Sequence, residues 1–125
     1  MNAHIGVATR GDFANTEVAV FIGKNPWQSH GIPHARRTLK GIANDPSRSM
    51  IVFDPRRTET ADLADFHLQV RPGTDAYCLA AMVKVLLEER LIDDAFIAQS
   101  VTGFDAVKAA RATVDVDRFA ANCGV

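Results

Sequence analysis

Three short polar turns carry the side chains in this sequence that can do chemistry. The first is Gly23-Lys24-Asn25-Pro26-Trp27-Gln28-Ser29-His30-Gly31. Gly23 has no Cβ, so the backbone there can approach a ligand closely. Lys24 supplies a point charge, while Asn25, Ser29 and His30 donate or accept hydrogen bonds. Ahead of a helix N-terminus, that set suits a phosphate or pyrophosphate. The glycine spacing is neither G-x-G-x-x-G nor G-x-x-x-x-G-K-[ST], so the usual dinucleotide and triphosphate loops are absent, and a plain strand-to-helix loop is an equal alternative. The second turn is Asp54-Pro55-Arg56-Arg57. An acidic residue closing a second strand often holds ribose hydroxyls, and Arg56 or Arg57 can meet a phosphate. Asp54 can equally cap a turn or pair with those arginines. In the third turn, Arg71-Pro72-Gly73-Thr74-Asp75, the Asp75 carboxylate can accept two hydrogen bonds from a base edge bearing adjacent N–H groups, as guanine does. It can also merely complement a helix dipole.

The remaining reactive residues form no such set. His4, His30, His34 and His67 share no spacing that demands a metal, and Pro33 breaks the helical face that would join His30 to His34. No metal site is therefore assigned. Cys78 and Cys123 cannot make a disulfide framework or fill a four-ligand zinc or iron–sulfur site by themselves. Cys78 beside an apolar stripe reads as a small core residue. Trp27 can pack on a partner or ligand, or cover a sheet edge. No Ser/His/Asp order or carboxylate pair makes a catalytic machine, so no catalytic residue is assigned.

These turns need elements to position them. The chain has 125 residues, 47% hydrophobic and 23% charged, which is the composition of a globular domain and excludes a disordered chain. Its formal charge of -1 offers no uniform basic field for nucleic acid or an anionic membrane surface. No apolar run approaches the ~20 residues of a membrane span, and the opening MNAHIGVATR lacks a signal pattern, so a cytoplasmic location is expected. The run Val18–Ile22 is apolar and partly β-branched, which suits a strand buried on both faces. A helix is expected from near Pro33 to Ala43, ending before Asn44-Asp45-Pro46. A second strand covers Met50–Phe53, a short helical turn runs from Thr58 to about Ala64, and Phe66–Val70 alternates like a more exposed strand. Thr74 caps a long helix in which Leu79, Met82, Val83, Leu86 and Leu87 form a stripe. Further helices are expected over Asp93–Ser100 and Ala106–Thr113, with no stop signal in the tail. The order predicts an α/β fold, a Rossmann-like open parallel sheet of about three strands flanked by helices. It is read as one α/β domain over residues 1–125, with residues 1–16 as a loose lead-in. In such sheets the ligand site lies beyond the carboxyl ends of the strands, where the three turns fall.

Taken in order, four motifs resemble one family. They are Ile22-Gly23-Lys24-Asn25-Pro26-x-x-Ser29-His30, then Asp54-Pro55-Arg56-Arg57-Thr58-Glu59-Thr60-Ala61, then Ala64-Asp65, then Arg71-Pro72-Gly73-Thr74-Asp75-Ala76. Glu89-x-Leu91-Ile92-Asp93-x-x-Phe96-Ile97 and Thr102-Gly103-Phe104 extend the match to about residue 105. The sequence resembles the molybdopterin oxidoreductases, the group that contains formate dehydrogenases and periplasmic or assimilatory nitrate reductases. The resemblance implies one α/β domain of a larger catalytic subunit, binding one guanosine half of molybdopterin guanine dinucleotide. It implies that the loop of Gly23, Lys24, Asn25, Ser29 and His30 lies along the pyrophosphate. Asp54 and Arg56, with Thr58 nearby, would meet the ribose and phosphate, and Asp75 the guanine edge.

The N-terminal cysteine motif for an iron–sulfur cluster does not occur in these residues, so any such cluster is expected only outside this segment. Position 31 is glycine where many relatives have proline. By the resemblance, the chain is a piece of a molybdenum-dependent oxidoreductase and is not catalytic alone. Its partners would be the parent's remaining domains and a guanine nucleotide moiety, with no nucleic acid or membrane, and self-association through exposed interface. Two alternatives remain: a standalone nucleotide- or phosphate-binding module, and the middle domain of another α/β enzyme such as a thiamine-diphosphate enzyme.

Overall fold

The apolar run at the start of the chain forms strand β1, Val18–Ile22, and pairs in parallel with β2, Ser49–Phe53. A third strand, β3 (Phe66–Leu68), adds to the other side of β2, again in parallel, giving the order β1-β2-β3. A computed structural model describes residues 11–125, so the expected lead-in lies outside the described residues as far as Arg10. The chain divides into two compact units, one ending at Gln69 and the other spanning Val70–Val125. The fold is α/β, with a three-stranded parallel sheet and helices.

In the first unit, helix α1 (Ala35–Ala43) connects β1 to β2. It starts two residues later than Pro33 suggests, because His34 sits in the left-handed region (φ 51°) and cannot belong to a right-handed first turn. Leu39 and Ile42 of α1 are buried with Ala19 and Phe21 of β1, Met50 and Val52 of β2, and Ala61. The expectation that β1 is buried on both faces fails. Its burial alternates strictly, and Val18, Val20 and Ile22 remain 44–55% exposed. The physical reason is coverage: within this unit the one long helix packs on the face of Ala19 and Phe21 alone.

Residues 11–16 hold no helix or strand but are pinned. The Arg48 guanidinium donates to the carbonyls of Phe13 and Thr16, and the Phe13 ring stacks on Phe21 at 5.9 Å. Asp65 ties β3 to β2, accepting the Met50 N–H at 2.7 Å with its carboxylate and donating its own N–H to the Met50 carbonyl. The expected short helical turn is a 3-10 turn at Ala61–Leu63.

The second unit is helical. Helix α2 (Asp75–Glu88) begins after Thr74 as expected, although the Thr74 hydroxyl donates back to the Arg71 carbonyl instead of capping the helix. Helix α3 (Asp94–Ser100) is capped by Asp93, whose carboxylate accepts the Phe96 N–H. Helix α4 (Phe104–Ala110) passes into a 3-10 turn at Arg111–Thr113. Helix α5 (Val116–Cys123) occupies the tail that carried no recognised signal. Asp115 caps its start and Gly124 closes it at φ 84°, a left-handed stop that favours glycine. Among the described residues no helix is long and apolar enough to cross a membrane.

Candidate functional site

The carboxyl ends of β1 and β2 point the same way, so the turns that follow them are neighbours. Gly23 leaves β1 at φ 58° and donates its N–H to the Phe53 carbonyl at 2.8 Å. A side chain at Gly23 meets open space but is strained by that φ, so the requirement is conformational. The next residues wind into a tight turn in which the Asn25 carbonyl accepts N–H groups from Gln28 and Ser29.

Two residues from the second turn clamp this loop. The Glu59 carboxylate accepts the Asn25 amide N–H at 3.0 Å and the Gln28 amide N–H. The fully buried Thr60 hydroxyl donates to the Asn25 amide oxygen at 2.6 Å and accepts the Trp27 N–H at 3.2 Å. Glu59 is held below the ordinary carboxylate range, first by its own backbone amide and then by the Asn25 side chain. Gln28 and the nearby Arg56 charge add to this against partial desolvation. The Asn25 side chain is thus engaged within the protein on both its polar atoms.

The clamp leaves a cleft of about 480 Å³ along the loop, running from Pro26 past Gly31 to Arg37. Ser29 Oγ is buried there with no hydrogen-bond partner, a group that costs stability unless something meets it. Cationic or titratable side chains line the same cleft at His30, His34, Arg36 and Arg37. Arg36 lies over the Trp27 ring at 5.2 Å and donates to the Trp27 carbonyl, while Lys40 sits 5.6 Å from that ring. Lys24 reaches across the loop to the His30 carbonyl at 3.3 Å, beneath a Gly31 whose open φ of 129° only glycine adopts readily. Among the described residues, neither Arg36, Arg37 nor Lys40 has a carboxylate partner. A buried lone hydroxyl, open glycines and unpaired cations together fit a phosphate-bearing group.

The second turn divides between structure and availability. Asp54 Oδ1 accepts the Arg56 N–H at 2.8 Å, so its carboxylate caps its own turn, one of the two alternatives that the sequence left open. Its carbonyl meets His67 Nε2 at 2.9 Å. The Arg57 guanidinium pairs with Asp62, and the Thr58 hydroxyl accepts the Ala61 N–H. The Arg56 side chain is exposed and takes no hydrogen bond among the described residues.

Asp75 belongs to the second unit, as the half-buried first residue of α2 behind Gly73 at φ 77°. Arg71, at the head of that turn, donates to the Ala121 and Asn122 carbonyls and so holds the end of α5. Sequence reading missed Glu59 and Thr60 as loop-holding residues. Their partners lie more than thirty residues away, and no local periodicity announces such contacts.

The model of the family described as "Molybdopterin oxidoreductase" matches residues 1–120. The chain belongs to the molybdopterin oxidoreductase family. Among curated members, it is 38% identical over 97 residues to the F420-dependent formate dehydrogenase subunit alpha of Methanocaldococcus jannaschii, covering 78% of this chain and 14% of that protein. It is 31% identical over 116 residues to the assimilatory nitrate reductase catalytic subunit of Bacillus subtilis, covering 91% of this chain and 16% of the relative. The solved acetylene hydratase from Pelobacter acetylenicus superposes with a TM-score of 0.72 at 30% identity, over 92% of this chain and 16% of that one. The chain therefore spans only about a sixth or less of these molybdopterin oxidoreductase relatives.

Proposed function

We propose that this chain is the part of a molybdenum-dependent oxidoreductase that holds one guanosine half of molybdopterin guanine dinucleotide. The observation that carries the reading is Ser29 Oγ, buried and unpartnered in a clamped loop beside a cleft of unpaired cations. A pyrophosphate supplies the acceptors that such a cleft lacks. Ser29 and His30 are the contacts this reading assigns to the diphosphate, with the Gly23 and Lys24 backbone shaping the approach. Asn25 acts differently. Its amide is spent on Glu59 and Thr60, so it orients the loop and leaves contact to its neighbours. Arg56 is assigned to the ribose–phosphate region as a free guanidinium, with Asp54 and Thr58 holding the turn beneath it. Asp75 is assigned to the guanine edge, where one carboxylate can accept two N–H bonds.

When bound, the cofactor supplies a molybdenum centre for oxidation or reduction of a small substrate, with formate and nitrate the parent chemistries the relatives' names suggest. This chain contributes binding and orientation. Calorimetric titration of GDP into the chain, with ADP as control, tests the proposal. Selective GDP binding supports a guanosine site. Equal affinity for both nucleotides favours the alternative of a generic phosphate-binding module, and absence of any binding removes the cleft as a nucleotide site in this chain.

A further inference from the structure

The second unit buries a pair of thiols that the cofactor reading leaves unused. Cys78 on α2 is 3% exposed and Cys123 in the last turn of α5 is fully buried. The two helices pack directly, with the Tyr77 and Phe119 rings edge-to-face at 5.1 Å. Phe119 and Cys123 are four residues apart and share one face of α5. The far end of α5 is fastened to the same region, since Arg71 donates its N–H to the Cys123 carbonyl at 2.8 Å and its guanidinium to the two carbonyls before it. Both thiols are thus buried where α2 and α5 pack, with Cys123 Sγ donating to the Ala120 carbonyl at 3.2 Å, and Cys123 lies near enough to Cys78 to raise its pKa.

We propose that Cys78 and Cys123 are an oxidisable pair that closes to an intramolecular disulfide, stapling α5 to α2. Cys123 is the entry point. It lies in the last turn of α5, ended by left-handed Gly124, so exposing it requires only that this turn release Arg71. Cys78 sits mid-helix, and burial with the neighbouring Cys123 and Asp75 pushes its thiol up to about 11. The Cys123 thiolate attacks one sulfur of a small disulfide such as oxidised glutathione, releasing one small thiol and leaving a mixed disulfide. The Cys78 sulfur then displaces the second small thiol, which takes up the Cys78 proton, and the Sγ–Sγ bond forms. Two protein thiols are oxidised and one small disulfide is reduced to two thiols.

The test exposes the folded chain to oxidised glutathione without denaturant, alkylates the remaining thiols and maps peptides without reduction. Closure predicts loss of both alkylatable thiols, a Cys78–Cys123 cross-linked peptide, and a thermal midpoint raised by about 5 °C or more over the reduced chain. Cys78→Ser is expected to stop at a single glutathione adduct on Cys123, with no rise in the midpoint. Two thiols that stay alkylatable, cross-links only between chains, or a cross-link that lowers the midpoint would each overturn the proposal. None of these readouts depends on nucleotide binding, so failure here leaves the cofactor reading untouched.

Discussion

Ser29 and Asp75 carry the sharpest consequences at the scale of single residues. A buried hydroxyl without a partner destabilises the free protein, so Ser29→Ala is expected to leave folding unharmed or improve it by up to about 1 kcal/mol. The same change removes a donor from the cleft, and GDP or inorganic pyrophosphate affinity should fall about fivefold. Thermal unfolding and calorimetry on one variant read both effects. If Ser29→Ala instead weakens folding and spares binding, the hydroxyl has a structural partner and no ligand role. For Asp75, the change to Asn keeps the shape but replaces one acceptor by a donor. It should weaken GDP by about 1–3 kcal/mol and ADP far less. Equal loss for both nucleotides would remove Asp75 from base recognition.

At the scale of elements, the Asn25–Ser29 loop is rigid because Glu59 and Thr60 hold it from the neighbouring turn. Thr60→Val keeps the volume but strands the Trp27 N–H and the Asn25 side-chain amide oxygen in a part-buried site. The expected cost is about 1–3 kcal/mol, measured by denaturant unfolding. Glu59 adds a pH dependence. Its folded-state affinity for protons is lowered, so its stabilising effect is present above the ordinary glutamate range and is lost as pH falls through the depressed folded value. Wild type is therefore expected to lose thermal stability on acidification more steeply than Glu59→Gln, with the two curves converging at low pH. Parallel curves would mean that the carboxylate charge does not hold the loop.

For the whole molecule, the outward face of the sheet matters most. Val18, Val20 and Ile22, together with Phe66 at 61% exposure, leave apolar side chains in water that parallel sheets usually cover. Sedimentation of the chain is expected to show concentration-dependent association, reduced by Val20→Lys. A monomer at every concentration would mean that this face is tolerated in water. In the relatives the matched stretch is a small share of a longer polypeptide.

The local code was legible in particular places. Val18–Ile22 and the run ending at Phe53 announced their strands by β-branched apolar content. A helix was expected from Asp93, which the structure shows to be its cap, and glycine at position 23 marked a turn. The motif order from Ile22 to Ala76 placed the family. Helix α5 was legible in principle through Asp115 and Gly124, but alternating Val114-Asp115-Val116-Asp117 hid its beginning. Sequence by itself determined these elements because caps, turns and periodicity act over a few residues. Only the tertiary structure decided that β1 is covered on one face, that Asn25 is tied up while Ser29 is left free, and that Cys78 and Cys123 are buried on packed helices. Those outcomes depend on contacts between residues about twenty to fifty positions apart, and chain geometry, which no local pattern encodes, brings them together.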